Sequence, residues 1–221
     1  MDGHITVQIA SLPARETTLE KTVSSLLPQV DRIFVALNGY AFIPEFLDNP
    51  KIEAVIMDNS LGDAAKFYDV DKWDGYFFTC DDDLIYPEGY IGYMISGIKR
   101  YHGVVSLHGK RYKNRPISSY RGGYTSIFRC LSSVQNDYSV DVGGTGVMAF
   151  HTDDLQLSID DFLKPNMADL WLAKAAHRQG VGITVLAHPK KYIKHKKYNW
   201  RIWTHAGADT FQTEVLNLFL K

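Results

Sequence analysis

The sequence predicts an α/β fold with a mostly parallel central sheet flanked by helices, and three observations carry that expectation. Apolar runs of strand length recur at residues 5–10, 32–37, 52–57 and 76–79. Between them lie segments of helical spacing or short breaks, the pattern of strands joined by crossovers. The runs end in polar residues, at Ser11, Asn38, Asp58 and Asp81, and ligands of open α/β sheets bind beyond the carboxyl ends of the strands.

Residues 5–10 alternate apolar and polar and read as a strand that Ser11-Leu12-Pro13 breaks. Thr17 or Thr18 caps a helix with Leu19, Val23, Leu26 and Leu27 on one face, and Pro28 ends it. Residues 32–37 are continuously apolar, as in a strand buried on both faces, and Asn38-Gly39 closes them. A short helical turn at 42–47 leads to a third strand at 52–57. Residues 62–68 read as a further helix before the strand that opens at Tyr76, and residues 88–101 as another, weakened by Gly89, Gly92 and Gly97. A short strand at 104–107 precedes a change of character. From 108 to 140, Lys110, Arg111, Lys113, Arg115 and Arg121 stand among Tyr112, Tyr120, Tyr124 and Gly122-Gly123, which reads as loop or hairpin. Residues 142–146 read as a flexible turn and 147–151 as a strand. Residues 153–161 are acidic and expected at the surface. Residues 166–179 form an amphipathic helix that Gly180 and Gly182 end, followed by a strand at 183–187. A basic, aromatic stretch fills 188–205, and 211–220 suits a closing helix. With no repeat or long linker, residues 1–221 are expected to form a single domain.

Composition excludes several classes. The 221 residues are 45% hydrophobic and 22% charged, with a formal net charge of −1. That is an ordinary globular composition, without a global pull toward nucleic acid or membrane. Two cysteines, Cys80 and Cys130, make neither a zinc site nor a disulfide framework. No secretory leader and no spanning apolar run is visible. A cytoplasmic protein is therefore expected, with peripheral attachment to the inner face of the membrane left open.

The most informative stretch runs from Tyr76 to Asp83: an apolar strand that ends in Asp81-Asp82-Asp83. Three adjacent carboxylates repel one another unless a cation intervenes. If the chain stays extended, Asp81 and Asp83 share one side. That arrangement suits a hard divalent cation with positions left for phosphate; the other reading is a solvated turn that starts the helix after Pro87. Cys80 beside this run is expected to be an inert thiol, raised by the neighbouring carboxylates. Ser11 with Arg15, Asn38, Asp58 with Asp63, and the acidic run together describe a rim fit for a nucleotide and a metal.

In these segments the chain resembles the family 2-like glycosyltransferases of the GT-A fold, a Rossmann-like α/β fold. Leu12-Pro13-Ala14-Arg15-Glu16 is similar to their opening, Gly62 to Lys66 to a glycine-containing segment that leads to a basic residue, and Asp81-Asp82-Asp83 to their "DXD" motif. Gly143-Gly144-Thr145-Gly146 resembles a glycine-rich acceptor-side loop, and Met167-Ala168-Asp169-Leu170 their "ED" segment, with Ala168 in place of the first acid. The resemblance spans most of residues 5–190. It implies a nucleotide-sugar half over 1–107, an acceptor-side half over 108–205 and a C-terminal helix over 206–221. It further implies a UDP-sugar donor, a glycan or glycoconjugate acceptor, no nucleic-acid partner, and a Mn²⁺ or Mg²⁺ cofactor. Asp83 and Asp81 would hold the metal, with a late histidine, His188 ahead of His195 and His205, as third ligand. Ser11, Leu12, Arg15, Asn38, Asp58, Asp63, Lys66, Asp81 and Asp82 would line the donor site, and Gly143, Gly144 and Thr145 the acceptor site. Asp169 would be the base of an inverting displacement; it also suits the first turn of a helix for purely electrostatic reasons. Trp171, Trp200 and Trp203 would stack on sugars or fill core, and the basic segment 190–201 would close over the donor. A sugar nucleotidyltransferase and a non-catalytic carbohydrate- or nucleic-acid-binding module are the competing readings. The first normally has a glycine-rich loop after its first strand, where this chain has Ser11-Leu12-Pro13-Ala14-Arg15.

Overall fold

The computed structural model describes residues 3–195 and 209–220. Strands β1 (Ile5–Ser11), β2 (Arg32–Asn38), β3 (Ile52–Met57) and β4 (Tyr76–Asp81) lie where the apolar runs place them, with helix α1 (Glu16–Leu26) between the first two. Then follow β5 (Leu84–Ile85), α2 (Tyr90–Tyr101), β6 (Val104–Ser106), β7 (Gly109–Arg111), β8 (Ser126–Phe128), β9 (Tyr138–Val140), β10 (Val142–Gly143) and β11 (Val147–His151). Helix α3 (Ala168–Arg178), β12 (Ile183–Val185), β13 (Lys194–His195) and α4 (Asp209–Phe219) complete the chain.

Eight strands form one sheet in the order β3-β2-β1-β4-β11-β6-β12-β9. β1 to β4 pair in parallel, and β6 and β12 run the same way; β11 and β9 are antiparallel to their neighbours. This is a mostly parallel, Rossmann-like α/β unit. Its strand order reverses beside β1, between β2 and β4, which is where such sheets open a crevice at their carboxyl ends.

Alternation along the strands assigns each side chain to a face. Val7, Ile9, Val35 and Phe78 pack with Leu19, Val23 and Leu26 of α1 and Met94 and Ile98 of α2. Phe77, Met148, Phe150 and Val185 pack on the other face with Leu170, Trp171 and Leu172 of α3 and Val215 and Leu216 of α4. Phe77 and Phe78 are both buried on opposite faces, so truncating either to Ala costs about 3–5 kcal/mol. Trp171 belongs to this core, its Nε1 donating to the Lys164 carbonyl at 2.9 Å, not to a sugar platform. Trp200, Trp203 and His205 lie outside the described residues.

Several local expectations change. Residues 62–67 form a 3-10 helix, and α2 starts at Tyr90 after Gly89, whose φ of 79° no longer side chain adopts easily. The turn expected at 142–146 is firmly held: Val142 and Gly143 are strand, and Thr145 is buried. The 108–140 region makes the antiparallel pair β7–β8 but also contributes β9 to the edge of the main sheet. Leu155 and Leu157, within the acidic stretch assigned to the surface, are buried.

Helix α4 fastens residues 117–121 at several points. Asn217 exchanges two hydrogen bonds with the Ile117 backbone, at 2.7 and 2.9 Å. Tyr120 N donates to Thr213 Oγ1 at 2.8 Å, and Arg121 N to Asp209 Oδ1 at 2.9 Å. No described helix is long and apolar enough to cross a membrane.

Candidate active site

β4 ends at Asp81, and the chain then turns, so the run is not extended through Asp83 as the alternation argument required. The consequence is a division of labour among the three carboxylates. Asp82 folds inward to the Arg15 guanidinium at 2.6 Å, with Arg15 10% and Asp82 4% exposed. Burial pushes Asp82 up to about 6 even against Arg15. Asp82 thus anchors the turn to the start of α1 instead of lining a donor pocket. Asp83 Oδ2 lies 3.3 Å from Arg15 Nη1 and 3.5 Å from His195 Nε2. Burial and the neighbouring Asp81 push its carboxyl up, against Arg15 and His195.

Asp81 pairs with Lys66. Burial alone would raise Asp81, but Lys66, Arg15 and His108 outweigh it and hold it below the usual carboxylate range. Lys66 is raised: burial works against its charge, and Asp81, Asp63 and Asp169 more than offset it. The end of β4 is fixed by Tyr86, whose hydroxyl accepts the Asp81 N–H at 2.8 Å and donates to the Gly146 carbonyl at 2.6 Å. Gly146 stands so close that a Cβ there would overlap the Asp81 carboxylate.

Asp169, in the first turn of α3, accepts from both the N–H and the hydroxyl of Thr145, each at 2.7 Å and both on Oδ1. Asp63 Oδ2 accepts the Ala168 N–H at 3.2 Å, while its Oδ1 is enclosed without a hydrogen-bond partner. Burial pushes Asp63 up to about 6, opposed by Lys66 and assisted by Asp169. Thr145, next to Gly143 and Gly144 in the chain, therefore lies on Asp169, and Asp63 and Lys66 are its electrostatic neighbours.

Other expected residues take structural parts. Ser11 Oγ meets the Tyr40 hydroxyl at 3.3 Å, and the Leu12 carbonyl accepts from Tyr40 at 3.1 Å. Asn38 Nδ2 donates to the Gly62 carbonyl at 2.9 Å, leaving its enclosed Oδ1 unpartnered. Asp58 is exposed and caps the turn through the Ser60 N–H at 2.9 Å. His188 is not the histidine of the acidic run. Its ring nitrogens face the carbonyls of Leu186 at 2.8 Å and Arg129 at 3.4 Å. Pairing of β13 with β5 instead sets His195 opposite Leu84, next to Asp83. Cys80 is raised to about 12, chiefly by burial, with Asp81 a minor contributor.

His108 was not foreseen. It follows β6, with Gly144 packed against its ring. Burial, Lys110 and Arg129 lower its pKa; Asp169 and Asp81 oppose them. A single histidine between two strands carries no local signal; only the tertiary structure sets it between two distant carboxylates.

The carboxylate pair fits a hard cation in part. Asp81 and Asp83 repel one another, and both contacts to Asp83 fall on Oδ2. Among the described residues, no three His, Cys, Asp or Glu side chains form a closed metal cage. A cation held here would therefore complete its shell from phosphate oxygens and water.

No protein-family model and no curated protein matches this chain. Among solved structures it is similar to 4-diphosphocytidyl-2C-methyl-D-erythritol synthase from Anaerococcus prevotii DSM 20548, at 13% identity and a TM-score of 0.48, over 73% of this chain and 75% of that one. It is also similar to A197 from STIV, at 12% identity and a TM-score of 0.49, over 88% and 86%. At these values the likeness concerns the general path of the chain and does not extend to the chemistry of the site.

Proposed function

We propose that this chain is a metal-dependent, inverting glycosyltransferase that moves a sugar from a nucleoside diphosphate, UDP in the first instance, to a hydroxyl of a glycan or glycoconjugate. The observation that carries the reading is a juxtaposition. Asp81 and Asp169, 88 positions apart by their numbering, share Lys66 and His108 as electrostatic neighbours beside the switch point of the sheet.

Asp81 and Asp83 would hold Mn²⁺ or Mg²⁺, with His195 in the place expected of His188; when bound, the cation would neutralise the leaving diphosphate. Lys66 adds a buried positive charge at the same end. Asp169, steadied through Oδ1, keeps Oδ2 to take the acceptor hydroxyl proton as that oxygen attacks the anomeric carbon. The bond from that carbon to the diphosphate oxygen breaks on the opposite side, so configuration inverts.

A sugar nucleotidyltransferase on the same sheet is the competing reading. Arg15, the cation of the loop after β1, is engaged by Asp82 and Asp83, which speaks against that loop as a triphosphate cradle. The deciding experiment is thermal denaturation with nucleoside diphosphates, with and without Mn²⁺, alongside assays of UDP-sugar consumption and of pyrophosphate release from nucleoside triphosphate and sugar phosphate. Metal-dependent stabilisation by UDP with no pyrophosphate release is expected. No metal-dependent shift with any nucleoside diphosphate or nucleotide sugar, or steady pyrophosphate release, sinks the reading.

A further inference from the structure

Lys110 is a half-buried cation that makes no ion pair among the described residues. It lies on β7, which pairs with β10 so that Lys110 is opposite Val142 and Gly109 opposite Gly143. Its Nζ is 3.8 Å from the centre of the Tyr120 ring and 5.9 Å from that of Tyr124, and it donates to the Tyr120 carbonyl at 3.4 Å. Among the described residues no carboxylate lies within ion-pair distance of it. Asp169 and Asp209 attract it, and Arg121 and Arg129 repel it more weakly. Burial is the largest influence on it and lowers its pKa. A half-buried ammonium over ring faces, with one long carbonyl contact and no described carboxylate at ion-pair distance, keeps N–H donors that an oxyanion can accept.

We propose that Lys110, floored by Tyr120 and Tyr124, is a subsite for an oxyanion carried by the acceptor, a phosphate or a carboxylate near the hydroxyl that Asp169 deprotonates. This rests on the transferase reading for the word acceptor, but the anion site itself does not. The ring faces suit the apolar face of a sugar, and the ammonium suits its charged substituent, so the preferred acceptor is an acidic or phosphorylated sugar unit.

The test reads Lys110 directly. The protein is treated with limiting N-hydroxysuccinimidyl acetate, and acetylation of each lysine is followed by peptide mass spectrometry in the presence of glucose 6-phosphate, glucuronate or glucose. Glucose 6-phosphate or glucuronate is expected to slow labelling of Lys110 about fivefold or more at tens of millimolar, with exposed Lys113 unaffected, as mass action requires. Comparison of the two probes tells phosphate from carboxylate. Unchanged labelling of Lys110 with both acids, or equal protection by neutral glucose, overturns the proposal. Lys110→Met, which keeps the apolar stem, should also lose any thermal shift that glucose 6-phosphate gives the wild type; a retained shift counts against the site. The UDP and Mn²⁺ titration is a separate measurement, so failure of the anion site and failure of the transferase reading are distinguishable.

Discussion

Thr145 gives both its backbone N–H and its hydroxyl to a single oxygen of Asp169, Oδ1, each at 2.7 Å. One carboxylate oxygen is thereby held in orientation, and under the proposed reading the other takes the acceptor proton. Asp169→Asn should leave UDP binding intact and lower kcat by roughly 10²- to 10⁴-fold, the usual reach of general base catalysis. Loss of donor binding in that variant would count against its part as base. Thr145→Val removes one charge-assisted hydrogen bond, which corresponds to about 10-fold or more in kcat, and Thr145→Ser should restore it. A merely structural threonine would not show that rescue.

The turn after Asp81 gives the three carboxylates different partners, and the variants should separate too. Asp82→Ala leaves Arg15 buried without its 2.6 Å partner and is expected to destabilise the fold by about 3 kcal/mol, seen as a lower denaturant midpoint. Asp83→Asn should leave the midpoint near that of the wild type and remove the Mn²⁺-dependent part of the shift with UDP. The reverse pattern would move the proposed metal contact from Asp83 to Asp82.

Gly146→Ala pushes a methyl group into the Asp81 carboxylate. Overpacking of this kind costs about 1–3 kcal/mol, and because Asp81 must give way, metal-dependent UDP binding should weaken more than stability does. Equal binding in the variant would show that Asp81 has room to move.

Asp63 gives a pH signature. Its folded-state pKa is raised, to about 6 from 3.8, so the folded chain holds a proton that the unfolded chain has released. The favourable contribution is therefore present below the unfolded value and lost as pH rises through about 6. Asp63→Asn keeps an acceptor for Ala168 N and removes the buried charge. It should stabilise the protein near neutral pH by an amount on the order of 2 kcal/mol, a gain that disappears by about pH 4. Thermal melts across that range decide it, and a pH-independent difference would refute the assignment.

The sheet was legible because its inner strands are buried on both sides. β2 and β4 announce themselves as apolar runs, and α1 and α3 by their helical spacing. β9 was not legible: Tyr138, Ser139 and Val140 are too few to show a period, and their place beside β12 is decided by residues far away in sequence. In the site, Asp81, Asp169 and the Thr145 loop could be named from their segments. The inward turn of Asp82 could not, because it depends on Arg15, 67 positions earlier at the start of α1. Nor could the exchange of His188 for His195, which follows from β13 pairing with β5. His108 and Lys110 carry no motif and acquire meaning only from what the fold sets beside them.

The two hydrogen bonds between Ile117 and Asn217 bridge 100 positions. The parallel strands β1 to β4 and the Asp81 end they carry can pair soon after they are made, whereas the segment bearing Tyr120, held locally by Tyr112 and Lys110, gains its bonds to Thr213 and Asn217 only once α4 is in place. Loop closure over such a span comes late in folding. A nascent chain, or one clipped ahead of α4, would thus have the Asp81 end of the sheet in place while residues 117–121 still lack their bonds to Asp209, Thr213 and Asn217. Under the proposed transferase reading, such a chain would hydrolyse donor instead of transferring it.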